Sequence, residues 1–266
     1  MSDPATGSVA GTGSGSLAGK VVLVTGGGGG IGRAICLGCG KAGASVVVAG
    51  PGDNGAETAE LVRARGGQAV FTRTDVGVAG DVESAVRGAV DTFGGLDGVV
   101  HSATSRLSPE VVAIDALDDE AWGDHVAVSL RGAYHCARFA LAHLQARQGR
   151  FVLMTSPAAM EGSSALPAYA TVKGAVRGLA RSLAVEWGPL GVGVVCVSPL
   201  AHTTALERAY VENPGLEERL ARLVPLGRVG DPDTDIAPVV VFLLGAAARH
   251  ITGQTVVVDG GRFTTL

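Results

Sequence analysis

Residues Lys20–Gly32, KVVLVTGGGGGIG, combine an apolar run with a series of glycines, and the architecture of the chain follows from this combination. The first six residues form a β-branched run, and the continuous hydrophobicity predicts a buried parallel strand. Five glycines, an isoleucine and a sixth glycine complete the stretch, and the pattern from Arg33 to Ala42 is helical. A glycine-rich turn between a strand and a helix lets backbone N–H groups approach a pyrophosphate at the helix N-terminus. A flexible linker also contains glycine strings, but the position between strand and helix favours a nucleotide-binding loop.

The alternation of strand and helix continues along the chain. The pattern predicts strands at 20–25, 45–49, 68–73, 96–101, 150–155, 192–197 and 255–258. It predicts helices at 33–42, 55–65, 81–93, 120–146, 167–187 and 234–247, with a polar helical insertion at 203–223. Strands that alternate with helices imply right-handed crossovers. We therefore predict an α/β fold, a Rossmann-like doubly wound parallel sheet of about seven strands flanked by helices.

Composition divides the chain into a tail and one domain. Residues 1–18 are nearly all glycine, serine, alanine and threonine, which predicts a disordered N-terminal tail. No linker composition interrupts residues 19–266, so we predict a single domain there.

Charge and cysteine usage exclude several classes of protein. The net charge is −4 and no basic cluster occurs, which argues against nucleic-acid binding. No run approaches the ~18 apolar residues of a membrane span. The four cysteines fit neither a disulfide framework nor a zinc site, and Cys36 and Cys39 are interpreted as small apolar helix residues. Free thiols without a signal peptide predict a cytoplasmic protein with no metal site.

A second stretch, Met154–Lys173, carries the candidate chemistry: MTSPAAMEGSSALPAYATVK. Tyr169 and Lys173 are four residues apart, so on a helix they share a face. An ammonium beside a phenol favours the phenolate and lowers its pKa toward neutrality. The hydroxyl of Ser156, held nearby, would hydrogen-bond the oxygen that gains or loses a proton. A tyrosine and a lysine at this spacing also occur by chance in many helices, so the assignment depends on the rest of the chain.

Several motifs together resemble the short-chain dehydrogenase/reductase family, and the resemblance covers Leu17–Gly261. The glycine-rich loop matches T-G-x-x-x-G-I-G. Ser156, Tyr169 and Lys173 match the catalytic serine, tyrosine and lysine, including the thirteen-residue step from serine to tyrosine. Further matches are Asp75-Val76, Pro225-Leu226-Gly227-Arg228, Ile251-Thr252-Gly253-Gln254 and Val258-Asp259-Gly260-Gly261.

The resemblance implies an NAD(P)-dependent oxidoreductase that transfers a hydride between the nicotinamide and a small-molecule carbonyl or secondary alcohol. Tyr169 would be the general acid and base, Lys173 would lower its pKa and hold the nicotinamide ribose, and Ser156 would orient the substrate oxygen. The resemblance implies cofactor contacts from Thr25, Gly26, Gly28, Gly30, Ile31, Gly32, Gly50, Asp75, Val76, Ser102, Ala103, Tyr169, Lys173, Pro199 and Thr204. It also implies a homo-oligomer, a tetramer or else a dimer, paired through the helices at 120–146 and 167–187.

Four departures from the family pattern bear on the site. The usual N-N-A-G reads His101-Ser102-Ala103-Thr104, and we predict a buried, hydrogen-bonded structural role for His101 rather than a catalytic one. Ser129 replaces an asparagine that anchors a water in the family's proton relay, which predicts a retained but altered relay through Ser129. The usual Pro-Gly reads Pro199-Leu200.

His202 follows that third departure, where the substrate lid begins. It is a candidate substrate contact together with Ser156 and Tyr169, and the alternative is an exposed loop residue.

The fourth departure concerns the choice of cofactor. Gly50 stands where NAD-preferring relatives carry an acid for the ribose 2′-OH, and Asp53 comes three residues later. The stretch is similar to that of 3-oxoacyl-acyl-carrier-protein reductases, which prefer NADPH, so NADP(H) is predicted over NAD(H). No arginine stands at Pro51, where NADP-users often have one.

The substrate predicted on this basis is a 3-oxoacyl thioester or another hydrophobic ketone. Apolar lid residues agree with such a substrate, although they would equally pack the lid onto the body: Leu200, Leu206, Tyr210, Leu216, Leu220 and Leu223. Two alternatives stay open. One is a cofactor-binding protein of the same fold with weak or no turnover, and the other is a redox-neutral isomerase or dehydratase.

Overall fold

The computed structural model describes residues 15–264, apart from the side chains of residues 204 and 205. A sheet of seven parallel strands forms its centre, in the order β3-β2-β1-β4-β5-β6-β7. The strands are β1 (Val21–Thr25), β2 (Ser45–Gly50), β3 (Gln68–Arg73), β4 (Gly98–His101), β5 (Arg150–Met154), β6 (Gly193–Pro199) and β7 (Thr255–Val258). The predicted Rossmann-like doubly wound sheet is therefore confirmed.

Helices connect the strands and cover the sheet. They are α1 (Gly30–Lys41), α2 (Asn54–Ala64), α3 (Ala79–Phe93), α4 (Asp119–His125), α5 (Gly132–Arg147), α6 (Ala158–Glu161), α7 (Pro167–Trp187), α8 (Thr204–Glu212), α9 (Leu216–Leu223) and α10 (Ala237–Leu244). Two π-helical segments, Val126–Arg131 and Pro232–Ile236, precede α5 and α10. No helix in the described part of the chain is long and apolar enough to cross a membrane.

Alternate residues of each strand enter two separate hydrophobic layers. In β1, Val21 and Leu23 pack with α3, α5 and α7, whereas Val22 and Val24 pack with α1, α2 and α10. Every residue of β1 is buried, as expected for a parallel strand covered on both faces. The rings of Phe151 and Trp187 stack at 5.9 Å in the first layer.

Several boundaries differ from the sequence predictions: the insertion predicted at 203–223, for example, forms two helices, α8 and α9. Three further differences have a structural basis. Helix α1 begins at Gly30 rather than Arg33, so the last glycines of the loop form its first turn. The single helix predicted at 120–146 is interrupted by the π-helical segment Val126–Arg131. The interruption was not predicted because one extra residue in a helical turn does not visibly change the apolar pattern. Of the predicted tail, residues 1–14 lie outside the described residues, whereas Leu17 is 1% exposed and its N–H bonds the Ala42 carbonyl.

The strand order places a crevice at one edge of the sheet. The chain leaves β1 toward β2 and β3 on one side, and returns to β4, β5, β6 and β7 on the other. In open parallel sheets, ligands bind outside the carboxyl ends of the strands at such a switch point. The glycine-rich loop follows β1 and Ser156 follows β5, so both lie at this edge.

Candidate active site

The glycine-rich loop packs so closely that side chains are excluded at its two ends. Gly26 has φ +68°, and a Cβ added there would lie 2.8 Å from the Ala103 nitrogen. A Cβ on Gly32 would lie 2.1 Å from the Gly26 carbonyl oxygen. Between them, a Cβ on Gly29 or Gly30 would meet nothing within 4 Å. The loop therefore leaves open space in front of the first turn of α1, which fits a pyrophosphate bound by backbone N–H groups.

Three predicted catalytic side chains meet at the carboxyl end of β5. Ser156 follows the strand, its hydroxyl accepts the Ala158 N–H at 3.3 Å, and it lies near Tyr169 in the first turns of α7. Lys173 is 3% exposed, and its Nζ donates to the Met154 carbonyl at 2.9 Å. The Thr155 hydroxyl donates to the Lys173 carbonyl at 3.0 Å, which ties α7 to the end of β5. The Lys173 Nζ lies 5.7 Å from the centre of the Tyr169 ring.

The direction of the tyrosine pKa differs from the prediction. Burial raises the pKa of Tyr169, and the neighbouring Ser156 hydroxyl only partly opposes that shift. The Lys173 ammonium is directed at a backbone carbonyl, and burial lowers its pKa to about 8. Tyr169 therefore keeps its proton at neutral pH in this structure, whereas the sequence predicted that Lys173 would lower its pKa.

His101 joins three elements of the site. Its Nε2 lies 3.0 Å from the Ser129 carbonyl oxygen and its Nδ1 lies 3.0 Å from the Thr25 hydroxyl. Since a carbonyl only accepts, Nε2 carries the proton and Nδ1 accepts from Thr25. The Thr25 hydroxyl in turn accepts the Ala103 N–H at 3.3 Å. His101 is 1% exposed, so its predicted burial and hydrogen bonding are confirmed, and its structural rather than catalytic role stays a prediction.

Ser129 lies in the π-helical segment and is fully buried. Its hydroxyl is 3.4 Å from that of Thr104, which is 2.9 Å from the Ser108 hydroxyl. Two of the departures from the family pattern are therefore in contact with each other. A proton relay through Ser129 stays a prediction.

The other predicted cofactor residues line the same edge of the sheet. Ser102 and Ala103 follow β4 and bond the end of β1 through their N–H groups. Asp75 is exposed and accepts the Gly77 N–H at 2.9 Å, while Val76 is buried beside it. A Cβ on Gly50 would meet nothing within 4 Å.

The last two predicted cofactor residues lie at the end of β6 and beyond it. Pro199 ends that strand, and the side chain of Thr204 lies outside the described residues.

His202 lies apart from Tyr169. It lines a cleft with Gly30 and Arg33, and its Nδ1 is 3.4 Å from a Glu207 carboxylate oxygen. The structure thus groups His202 with the cofactor loop, and its role as a substrate contact stays a prediction.

His125 is a further candidate residue that no sequence motif marks. This histidine is 4% exposed and lines a cavity with Ser108, Glu110 and Tyr169. Its Nδ1 is without a hydrogen-bond partner among the described residues. Burial lowers the pKa of His125, against the neighbouring carboxylates of Asp124 and Glu110. An isolated histidine within a helix carries no motif, so the sequence held no signal for it.

Comparisons with known proteins agree with this geometry. Residues 26–262 match the family described as enoyl-(acyl carrier protein) reductase. The chain is 33% identical to an L-rhamnose 1-dehydrogenase (NAD(P)+) of Azotobacter vinelandii, over 93% of this chain and 98% of that protein. It is 31% identical to a 3-oxoacyl-acyl-carrier-protein reductase of Staphylococcus aureus, over 92% and 98%. A solved short-chain type dehydrogenase/reductase from Mycobacterium ulcerans superposes with a TM-score of 0.86 at 33% identity, covering 92% and 90%.

Proposed function

The chain belongs to the short-chain dehydrogenase/reductase family of oxidoreductases, and from that premise we propose that it reduces a carbonyl compound with NADP(H) as the hydride donor. The observation that carries the proposal is the hydroxyl pair of Ser156 and Tyr169 beside the buried Lys173. That pair lies at the same sheet edge as the open glycine-rich loop.

The hydroxyl pair supplies the acid that a carbonyl reduction needs. A carbonyl oxygen that accepts hydrogen bonds from both Ser156 and Tyr169 is polarised, and it gains negative charge as its carbon receives the hydride. Because burial raises the pKa of Tyr169, the phenol holds its proton until that charge develops and then transfers it to the oxygen. In the reverse direction Tyr169 accepts the proton of the alcohol.

Lys173 supports this proton transfer through its positive charge. Its ammonium is fixed by the Met154 carbonyl, and its positive charge stabilises the phenolate that forms when Tyr169 gives up its proton. With a pKa of about 8, Lys173 is mostly protonated at neutral pH. The Thr155 bond to the Lys173 carbonyl keeps this part of α7 in register with β5.

The chain's own residues fit a dinucleotide. The N–H groups of Gly30 and Ile31 would hold the pyrophosphate, Asp75 and Val76 would border the adenine, and Lys173 would reach the nicotinamide ribose. The bound nicotinamide would supply the hydride. The neutral end of β2 at Gly50, with no carboxylate at that position, supports NADP(H) over NAD(H).

We also propose a substrate class, an oligomeric state and a cellular location. We assign a hydrophobic ketone or 3-oxoacyl thioester as substrate, supported by the apolar side chains of Leu107, Val112 and Leu166 in the cavity that Tyr169 lines. We assign a homotetramer, supported by the exposed apolar side chains of Tyr134 on α5 (49%) and Val185 on α7 (81%). Four buried free thiols support a cytoplasmic location.

The experiment is a fluorescence titration of the purified protein with NADPH and with NADH, followed by turnover of ketones and 3-oxoacyl thioesters. We expect Tyr169→Phe to bind NADPH as the parent does and to lose turnover by about 10²–10⁴-fold. Failure of both nucleotides to bind the parent protein would refute the oxidoreductase proposal. It would favour a binding protein that has kept the fold.

A further inference from the structure

The position of the catalytic residues decides which half of a dinucleotide lies over β2. Tyr169 and Ser156 lie beyond β4, on the β5 side of the crevice. The nicotinamide must therefore lie on that side, and with the pyrophosphate at the glycine loop the adenosine extends over β2. The end of β2 and the loop to α2 thus face the adenosine ribose, which carries the 2′-OH of NAD or the 2′-phosphate of NADP.

The side chain that occupies this corner is Asn54, the first residue of α2. A Cβ on Gly28 would lie 2.6–2.7 Å from the Asn54 amide atoms, and one on Gly52 would lie 2.9 Å from its Oδ1. The amide thus bridges the cofactor loop and the β2–α2 loop because both positions are glycine. Open space adjoins it at Gly50.

Arg33 lies behind the same corner and is held by four groups. Its Nη2 donates to the Gly28 carbonyl at 2.8 Å and to the Asn54 carbonyl at 3.3 Å, and its Nε donates to the Thr58 hydroxyl at 3.0 Å. Glu57 pairs with the same Nη2 at 3.2 Å. The positive charge of Arg33 on α1 is thus offset by the Glu57 carboxylate on α2.

We infer that Asn54 reads the 2′ substituent of the adenosine ribose, and that the Arg33–Glu57 pair sets how strongly a 2′-phosphate is preferred over a hydroxyl. A neutral amide donates to a phosphate oxygen through Nδ2 and accepts from a hydroxyl through Oδ1, so it tolerates both. The preference for NADP(H) over NAD(H) then depends on how strongly the Arg33 charge attracts the 2′-phosphate, and the Glu57 carboxylate weakens that attraction. This inference rests on the proposed function.

The test measures dissociation constants of NADPH and NADH by fluorescence titration at fixed ionic strength, in the parent and in three variants. Asn54→Asp adds a negative charge at the corner, and a carboxylate at a helix N-terminus does not weaken the helix. We expect NADPH to bind at least about tenfold more weakly relative to NADH. Glu57→Gln removes the opposing charge, and we expect NADPH affinity to rise about threefold or more with NADH unchanged.

Glu60→Gln is the matched control for Glu57→Gln. Glu60 lies one turn further along α2 and pairs with Arg63 at 2.6 Å, so the variant changes the net charge equally without touching Arg33. If the ratio of the NADPH and NADH dissociation constants of Asn54→Asp is within twofold of the ratio for the parent protein, the role of Asn54 is refuted. Equal effects of Glu57→Gln and Glu60→Gln refute the role of the Arg33–Glu57 pair. If neither nucleotide binds the parent, the proposed function itself fails, so the two failures are distinguishable.

Discussion

Replacement of His101 by glutamine tests whether a neutral, buried imidazole holds the site together. In the fold, burial lowers the pKa of His101 to about 3, and the nearby Lys173 charge adds to the shift. An unfolded histidine has a pKa of about 6.5. Below that pH the unfolded chain binds a proton that the folded chain does not, so the free energy of unfolding decreases as pH falls from about 6.5 toward 3.

The two pKa values set the size of the effect. Between pH 6.0 and pH 4.5 this one group lowers the free energy of unfolding of the parent protein by about 2 kcal/mol. Glutamine does not titrate, so His101→Gln does not show this decrease in the free energy of unfolding. At pH 7.5 we expect His101→Gln to be less stable than the parent by about 1–3 kcal/mol, because the Thr25 hydroxyl loses its acceptor. The stability gap should therefore narrow by about 2 kcal/mol from pH 6.0 to pH 4.5.

Urea unfolding followed by tryptophan fluorescence measures this gap at pH 7.5, 6.0 and 4.5, at one fixed protein concentration. The reporters are Trp187, which is 2% exposed, and Trp122. His250→Gln is the control, because His250 is exposed and its replacement should leave the gap constant. A gap for His101→Gln that is the same at all three pH values would refute a buried imidazole that stays neutral in the fold.

Two further predictions concern packing around the site. Gly32→Ala places a Cβ 2.1 Å from the Gly26 carbonyl, and we expect the melting temperature to fall by about 5 °C or more, whereas Gly29→Ala meets nothing within 4 Å and should melt within about 2 °C of the parent. Equal melting temperatures would contradict the close approach of the loop to α1. Ser129→Asn overfills a fully buried position against Thr104 and should lower the free energy of unfolding by about 1–3 kcal/mol, with partial recovery when Thr104→Gly is added. A double-mutant cycle in urea checks this, and strictly additive effects would show that the two residues do not interact.

The sheet and the grouping of Ser156, Tyr169 and Lys173 were predictable because their signals are local. A β-branched run such as that of β1 predicts a buried strand from its own composition, whichever helices cover it. The spacing of the glycines indicates where one backbone segment approaches another, and Gly26 and Gly32 do lie too close to neighbouring backbone atoms to carry a side chain. The spacing of Tyr169 and Lys173 places both on one helix face by geometry alone.

The energetics of the same residues were decided by tertiary structure. A pKa depends on every atom that displaces water, so burial raises the value of Tyr169 although the adjacent lysine favoured the opposite direction. The Lys173 ammonium donates to the Met154 carbonyl because β5 ends beside α7. The relative position of these two elements cannot be predicted from residue spacing within either one.

The alternation of strands and helices, the glycine-rich loop and the candidate residues Ser156, Tyr169 and Lys173 all follow from the amino-acid sequence, because periodicity and motif spacing act over a few residues. Tertiary structure alone decided the π-helical turn around Ser129, the tautomer of His101 and the contact of Arg33 with Glu57. Each of these depends on residues more than twenty positions apart or on one extra residue in a turn. Interactions of that kind arise only when the chain is packed.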